Sequence, residues 1–397
     1  MKFLSNISLE KSERKILFSS FAAISGVGLL SYAALPFLIG STMVTLDLSE
    51  ESVGFLYSLE FIAAALSSIF IAPKIGKINR TKIAFIGAFV VIAGNFASGL
   101  WCNYDFLQFI RPLTGIGAGL TLATGNATIA NSNQPAKIAG MMNVLFTAMI
   151  VLLMLCLSYL GNRWGIQGIY FGLATVTFCF LFLLIMIPQR SANLNSENVS
   201  NEIHSTGIFS IAGIAIFAVF LMYTLRDSMA WGFAERIGNE VGYSPAEMGQ
   251  ILSLQAFVGL IGPLLTAVIG FKLGVKFPLL LGIIFAGLTS YAVFLSPELP
   301  YLFEGSVLVW TAGYFFGIAY LTAYAASLDH DGRVVAASGS AMVLGVAAGP
   351  ALAGYLITKG GYTWAAWATL ALVILMVIAA IVSLKWRVKT QEEKILK

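Results

Sequence analysis

The run Phe106-Leu-Gln-Phe-Ile-Arg111-Pro-Leu-Thr-Gly115-Ile-Gly117-Ala-Gly119-Leu-Thr-Leu-Ala-Thr-Gly-Asn126-Ala-Thr-Ile-Ala-Asn131 places an arginine and three evenly spaced glycines inside an apolar stretch. At 1.5 Å per residue, a helix over 106–131 exceeds the ~30 Å of a bilayer's hydrocarbon layer. A Gly-x-Gly pattern also occurs in dinucleotide-binding loops, but those follow a strand, and this one lies within a continuous apolar helix. The glycines therefore read as points of close helix approach. The arginine, which costs ~2.5–3.5 kcal/mol at a helix centre unless paired or wet, needs a partner.

Similar apolar runs fill the rest of the chain. Hydrophobic residues make up 58% of the sequence and charged ones 11%, a balance no water-soluble fold sustains. A β-barrel would show ~10-residue segments of alternating polarity, and segments such as Ile138 to Leu160 do not alternate. Polar breaks delimit helices near 15–42, 52–74, 82–102, 106–131, 138–160 and 164–187, then near 207–238, 246–270, 277–296, 301–327, 335–358 and 363–386. Between the two sets lies Pro188 to Thr206, an Asn- and Ser-rich stretch too polar to span. The expected architecture is an all-α integral membrane protein of twelve helices in two pseudo-symmetric six-helix bundles. Residues 1–187 form the first bundle, 188–206 a cytoplasmic linker and 207–397 the second bundle. The first apolar run has no cleavage site after it and reads as a retained helix, and no soluble domain is expected.

The two halves repeat one another. Ser49-Glu-Glu-Ser-Val-Gly54-Phe-Leu-Tyr-Ser58-Leu59-Glu60 aligns without gaps on Ser244-Pro-Ala-Glu-Met-Gly249-Gln-Ile-Leu-Ser253-Leu254-Gln255, an offset that also sets Lys77 opposite Lys272. Internal duplication of this kind marks transporters, whose sites lie between repeats near the bilayer midplane. Lys74, Lys77, Arg80 and Lys82 crowd one loop and Lys385, Arg387 and Lys389 follow the last helix, whereas Asp47, Glu50, Glu51, Glu298 and Glu304 mark the opposite tips. The positive-inside rule then puts both termini in the cytoplasm. Cys102, Cys156 and Cys179 lack paired spacing and read as packing residues. With His204 and His330 in polar segments, neither a metal site nor a catalytic set is expected. Nothing suggests nucleic-acid binding, and Asn198-Val-Ser200 carries no meaning as a glycosylation site on the cytoplasmic side.

Arg111-Pro-Leu-Thr-Gly115-Ile-Gly117-Ala-Gly119 resembles, in full, the fourth-helix signature Arg-x-x-x-Gly-x-Gly-x-Gly of the major facilitator superfamily. The loop Gly76-Lys77-Ile-Asn79-Arg80-Thr-Lys82 looks like a degraded form of that family's signature between helices two and three. Gly76 stands at an acidic position and Asn79 at a glycine position, while the basic gating residues Lys77 and Arg80 are kept. The Gly-Pro-x-x-Gly motif typical of drug–proton antiporters is missing from helix five. A similar string, Gly345 to Gly354 with Pro350, occupies helix eleven, where it reads as a kinked, tightly packed helix. Ser58-Leu59-Glu60-Phe61 and Trp231-Gly-Phe-Ala-Glu235-Arg236-Ile-Gly238 resemble a branch of sugar-efflux-like and drug-efflux-like bacterial permeases. The resemblance implies the major facilitator fold, alternating access and a cavity lined by helices one, four, seven and ten.

Few ionisable residues interrupt the apolar runs. Glu60 lies ~12 Å and Arg111 ~7 Å below the outer ends of their helices, and Arg226 and Asp227 fall at a similar depth in helix seven. Glu60 and Asp227 are candidate proton carriers, because a carboxylate in an apolar site can bind a proton in one conformation and release it in another. Equally, each can form a structural ion pair, Glu60 with Arg111 and Asp227 with Arg226. As cavity-facing cations, Arg111 and Arg226 would favour an anionic solute. Tyr32, Asn126, Trp231, Gln255, Trp310 and Tyr314 are candidate solute contacts, with Trp310, Tyr314, Gly317 and Tyr324 on one helical face. Glu235, Arg236 and Glu304 read as solvated residues at the outer mouth.

The expected function is secondary active transport without a cofactor or prosthetic group: proton-coupled efflux of a small amphiphilic or anionic molecule, by a monomer in the bacterial cytoplasmic (inner) membrane. Proton-driven uptake of a sugar or organic acid is the alternative. A membrane-embedded enzyme lacks its nucleophile–base set, and a sensor would need an output surface.

Overall fold

The computed structural model describes residues 9–75, 77–188, 210–270, 272–328 and 333–395. Gly76, His204, His330, Asn198-Val-Ser200 and nearly all of the 188–206 linker lie outside the described residues. The first span is segmented: α1 (Lys11–Phe21), a wider π-helical turn over Ala22–Gly28, α2 (Leu30–Ala33) and α3 (Leu35–Leu46). The span breaks at Leu29 and Ala34, and Pro36 sits in the first turn of α3, where a missing N–H costs nothing. Next come α4 (Glu50–Ile71), α5 (Arg80–Leu100), α6 (Tyr104–Ile129), α7 (Pro135–Leu184), α8 (Ile211–Val241), α9 (Pro245–Gly259), α10 (Ile261–Ile269), α11 (Lys276–Leu295), α12 (Phe303–Ala326) and α13 (Arg333–Ile395).

Among the described residues, eight helical stretches are long and apolar enough to cross a membrane. Two of them, within α7 and α13, are far longer than one crossing needs. Each breaks where a polar turn was expected: α7 at Gly165 (φ 59°), and α13 at Gly360 and Gly361 (φ 72°). Only glycine occupies such φ values without strain, so single residues do the work of the short loops expected at 161–163 and 359–362. Phe70, Phe109, Leu152 and Val268 each leave 66% or more of their surface uncovered. So many large apolar side chains facing outward fit a lipid surround and would not survive in water.

The shared serines and glycines of the aligned repeat each have a physical use. Ser49 and Ser244 are N-caps of α4 and α9, accepting from Ser52 N and Glu247 N, and Glu247 completes a capping box. Gly54 packs against the Pro350 carbonyl of α13, and Gly249 against Ser158 of α7. Ser58 Oγ accepts from Ala351 N at 2.9 Å, and Ser253 Oγ donates to Val151 O at 3.1 Å. The Ser…Gly…Ser frame is thus a cap, a close approach and a hydrogen bond, used once in each half to grip a helix of the other.

The helices have a tip end, where α3 meets α4 and α8 meets α9, and a linker end, where residues 188 and 210 lie. The largest hydrophobic core draws Leu30–Met43, Val53–Phe61, Leu153–Leu157, Met229–Ile237, Leu252 and Ala347–Ile357 into one cluster in the tip half. Toward the linker end the core divides, with residues before 188 in two clusters and residues after 210 in another. Residues from the two halves of the chain are therefore packed together at the tips and apart at the linker end.

Candidate functional site

A cavity of about 480 Å³ occupies that separation. Its walls toward the linker end carry Ser25, Leu122, Asn126, Asn143 and Phe146 from the first half and Met342, Val343 and Val346 from the second. Its closed end carries Tyr32, Phe61, Asp227, Trp231, Gln255, Trp310 and Tyr314. At the tips, α4 packs on α13, α7 on α9 and α3 on α8. Glu51 N donates to Thr358 Oγ1 at 3.0 Å and Ser158 Oγ to Pro245 O at 2.6 Å. The cavity is thus open toward the linker end and shut at the tips.

Asp227 is the one charged residue in the lining among the described residues. Its Oδ1 accepts from Trp310 Nε1 at 2.9 Å and its Oδ2 from the Tyr32 hydroxyl at 3.3 Å. Trp231 Nε1 donates to the Tyr32 carbonyl at 2.8 Å. Tyr32 belongs to the first half and the other three to the second, so this cluster ties the halves together at the cavity's closed end. Trp231 and Trp310 meet edge to face at 6.2 Å, Tyr32 meets Phe61 at 5.9 Å, and Tyr314 stacks on Tyr223 at 5.3 Å. A carboxylate ringed by aromatic faces is suited to an apolar cation.

Gln255 also reaches this cavity. It is buried, and neither Oε1 nor Nε2 has a hydrogen-bond partner. Asn126 and Asn143 present side chains from the linker-end wall. On α12, Trp310 and Tyr314 line the cavity while their expected companions do not. Tyr324 bonds Ser383 at 3.0 Å, and Gly317 makes room for the Tyr223 hydroxyl.

Neither expected arginine is in the lining. Arg111 is fully buried and grips Glu60 through Nε to Oε2 at 2.9 Å and Nη2 to Oε1 at 2.7 Å. Nη1 donates to Asn95 at 2.9 Å, Nη2 to Ser31 at 3.3 Å, and the Tyr57 and Tyr170 rings flank the guanidinium. Four segments, α2, α4, α5 and α6, are joined through this one charge pair. The glycines explain the motif's spacing: a side chain at Gly115 or Gly119 would strike the Glu60 or Ala64 carbonyl of α4, and one at Gly117 would meet the Gly87 carbonyl of α5. Two faces of α6 are stripped so that both neighbours approach its backbone and Arg111 reaches Glu60.

Arg226 adjoins Asp227 in sequence, but consecutive helical residues point ~100° apart. Its Nη1 donates to Ala286 O at 2.6 Å and to Ser290 Oγ, and its guanidinium lies 4.8 Å from the Tyr223 ring centre. The closest approach to Asp227 is 3.9 Å, an ion pair without a hydrogen bond. Lys77 is exposed, while Arg80 is buried and donates to Ile75 O at 3.3 Å and to Ala127 O at 3.4 Å, holding its loop to the end of α6. Asn79, at the family's glycine position, is the N-cap of α5.

The Gly345–Gly354 string is a packing device. Gly345 meets Leu221 and Thr224, Gly349 meets Ser228, and Gly354 meets the Glu50 carbonyl. Pro350 has no N–H for the Val346 carbonyl, which accepts instead from Ser228 Oγ at 2.8 Å.

Two further readings of the sequence are overturned. Cys156 and Cys179 are exposed rather than packed inside. Glu235 was expected in solvent at the outer mouth; it is only 4% exposed, wedged between α8 and α3. What sequence could have offered is Gly40, but a glycine on one helix does not announce a partner 195 residues away.

A family model described as Major Facilitator Superfamily matches residues 16–328 and 212–396. Over 373 residues the chain is 22% identical to Multidrug resistance protein 2 of Bacillus subtilis (strain 168), covering 88% of this chain and 90% of that protein. It is 28% identical over 162 residues to Sugar transport protein MST7 of Oryza sativa subsp. japonica, which covers 39% of this chain and 31% of that protein, so the chain spans under a third of that relative. Among solved structures, the nucleoside transporter NupG superposes with a TM-score of 0.71 at 14% identity, over 95% of this chain and 99% of that one. A bacterial homologue of the human lysosomal transporter Spinster, inward-facing and occupied, gives 0.71 at 15% identity over 95% and 97%. The paired Arg111, the glycine-stripped α6 and the cavity between the halves thus coincide with a family match along nearly the whole chain, and the protein belongs to the Major Facilitator Superfamily of membrane transporters.

Proposed function

We propose that the protein is a proton-coupled secondary transporter that exports a small amphiphilic molecule by alternating access, and that the molecule carries a positive charge or a protonated amine. In this reading the twelve spans form two pseudo-symmetric six-helix bundles, residues 1–187 and 207–397. They rock about the cavity, with the linker and both termini in the cytoplasm of a bacterial cell, working as a monomer. The observation that carries the reading is Asp227: among the described residues, the one charge in the lining is negative. An anionic solute would need Arg111 or Arg226 in the cavity, and neither lines it: Arg111 is held by Glu60, and Nη1 of Arg226 by Ser290 and Ala286.

Asp227 also supplies a means of coupling. In the tip-closed arrangement Tyr32 donates to it across the halves. A cation arriving from the linker end competes with Tyr32 for Oδ2 and so loosens one of the bonds that hold the tips shut. At the tip side a proton takes the cation's place on the carboxylate, and it is released when the cavity next faces the cytoplasm. One negative group shared alternately by a cation and a proton exchanges the two at a ratio of one. Glu60 fits the structural alternative, because both its oxygens are held by Arg111.

A second reading, proton-driven uptake of a sugar, is favoured by the amides of Asn126, Asn143 and Gln255 in the lining, which suit hydroxyl groups. The two are separated by titrating tetraphenylphosphonium into the purified protein and following Trp231 and Trp310 fluorescence. The first reading expects saturable quenching that Asp227→Asn weakens at least tenfold. Quenching by hexoses, with none by the cation, would overturn it.

A further inference from the structure

The least expected group in the molecule is Glu235. Its Oε1 accepts from Asn239 Nδ2 at 2.7 Å, but its Oε2 has no hydrogen-bond partner. That bare oxygen presses on Gly40 of α3, at the place a side chain on residue 40 would occupy. Asn239 Oδ1, on the amide already bonded to Glu235, is also without a partner. As a carboxylate, Glu235 would add a second lone acceptor beside an acceptor that has no donor, in an apolar seam. As the neutral acid it buries no charge, and its hydroxyl replaces one of the bare acceptors with a donor. Burial of a bare carboxylate is far costlier than burial of the acid.

The neighbouring cation relieves this only in part: Arg236 attracts the Glu235 carboxyl without hydrogen-bonding it, and its Nε is buried without a hydrogen-bond partner. Arg236 pairs with Glu240 at 2.9 Å. Segment α3 has no titratable residue. On the other elements around the tip of α8, Glu247 caps its own helix, Glu304 accepts from Tyr243, Glu50 accepts from Thr358, Lys359 lies 6.0 Å from the Tyr355 ring centre, and the Tyr362 hydroxyl lies beside Arg236. The contact Glu235 makes is between the two halves, on the closed side of the cavity.

We propose that Glu235 is a second proton-binding group, distinct from Asp227, whose neutral form seals α8 against α3 at the tips and whose ionised form opens them. The proton leaves Oε2 for water at the tip surface, and the carboxylate then needs water donors that the seam can admit only by parting. Gly40 is the matching half of the seal, since any larger residue there would displace Oε2. This inference rests on the alternating-access reading but not on any role of Asp227.

Spin labels at Asp105→Cys and Ala246→Cys, exposed tip positions in the two halves, report the opening in a background with Cys102, Cys156 and Cys179 replaced by serine. Between about pH 5 and pH 9, a range that brackets carboxyl groups raised by burial, the native distance distribution should shift from short to long. Glu235→Gln, a fixed neutral mimic, should stay short throughout, and Gly40→Ala should be long at both ends. A transition in Glu235→Gln with the native midpoint overturns the assignment to Glu235. One unchanging distance in every variant overturns alternating access itself.

Discussion

Removing Arg111 alone and removing it together with Glu60 should have opposite outcomes. Arg111→Met leaves Glu60, 1% exposed, without the guanidinium that holds both its oxygens. Breaking a buried pair in this way costs ~3–5 kcal/mol, because an uncompensated charge remains. The double variant Arg111→Met with Glu60→Leu removes both charges and fills similar volume, and apolar replacement of a whole buried pair is neutral or stabilising by ~1–4 kcal/mol. At the ~2 °C per kcal/mol that applies to large domains, the single variant should unfold roughly 6–10 °C below the native protein in detergent, and the double variant close to it. The assay is thermal unfolding followed by intrinsic fluorescence, with the four proteins of the cycle treated identically. If the double variant is as unstable as the single one, the pair is not a self-contained strut. If Glu60→Gln leaves stability intact yet abolishes proton movement, Glu60 is a carrier and the structural reading fails.

Three further outcomes follow from particular contacts. Gly115→Val should destabilise the protein by ~1–3 kcal/mol or more, as overpacking does, because the new side chain meets the Glu60 carbonyl; expression and melting temperature should both fall, while Gly140→Val, at a glycine with open space beside it, should change neither. Ser49→Ala and Ser244→Ala each remove an N-cap worth ~1 kcal/mol at equivalent places in the repeat, so denaturation should show similar losses that add in the double variant. Ser58→Ala removes the oxygen that accepts from Ala351 N, and the tip-to-tip label distance should lengthen without loss of helix content.

The sequence carried more of the fold than of the site. Span positions were legible because hydrophobicity in a membrane protein is continuous over each crossing, and the repeat was legible because caps, glycines and serines recur at one offset. The segmented first span was not, since a π-turn at Ala22–Gly28 leaves no mark in an apolar run. Among candidate site residues, depth along a helix could be counted, and it set Glu60, Arg111, Arg226 and Asp227 at overlapping levels, of which Asp227 lines the cavity. Rotation about the helix axis could not be counted so well. It decides whether Arg226 faces the solute or Ser290, and whether Arg111 faces the cavity or Glu60. Glu235 was misread for the same reason, because a charge near a helix end says nothing about which neighbour covers it.

The central claim is that Asp227 exchanges a proton for a cationic solute. Its most direct test is the internal pH of proteoliposomes on addition of tetraphenylphosphonium, comparing the native protein with Asp227→Asn at matched reconstitution. The account predicts cation-evoked proton movement in the native protein and none in the variant. Proton movement of equal size in both, or cation flux in the native protein with no proton movement at all, contradicts it.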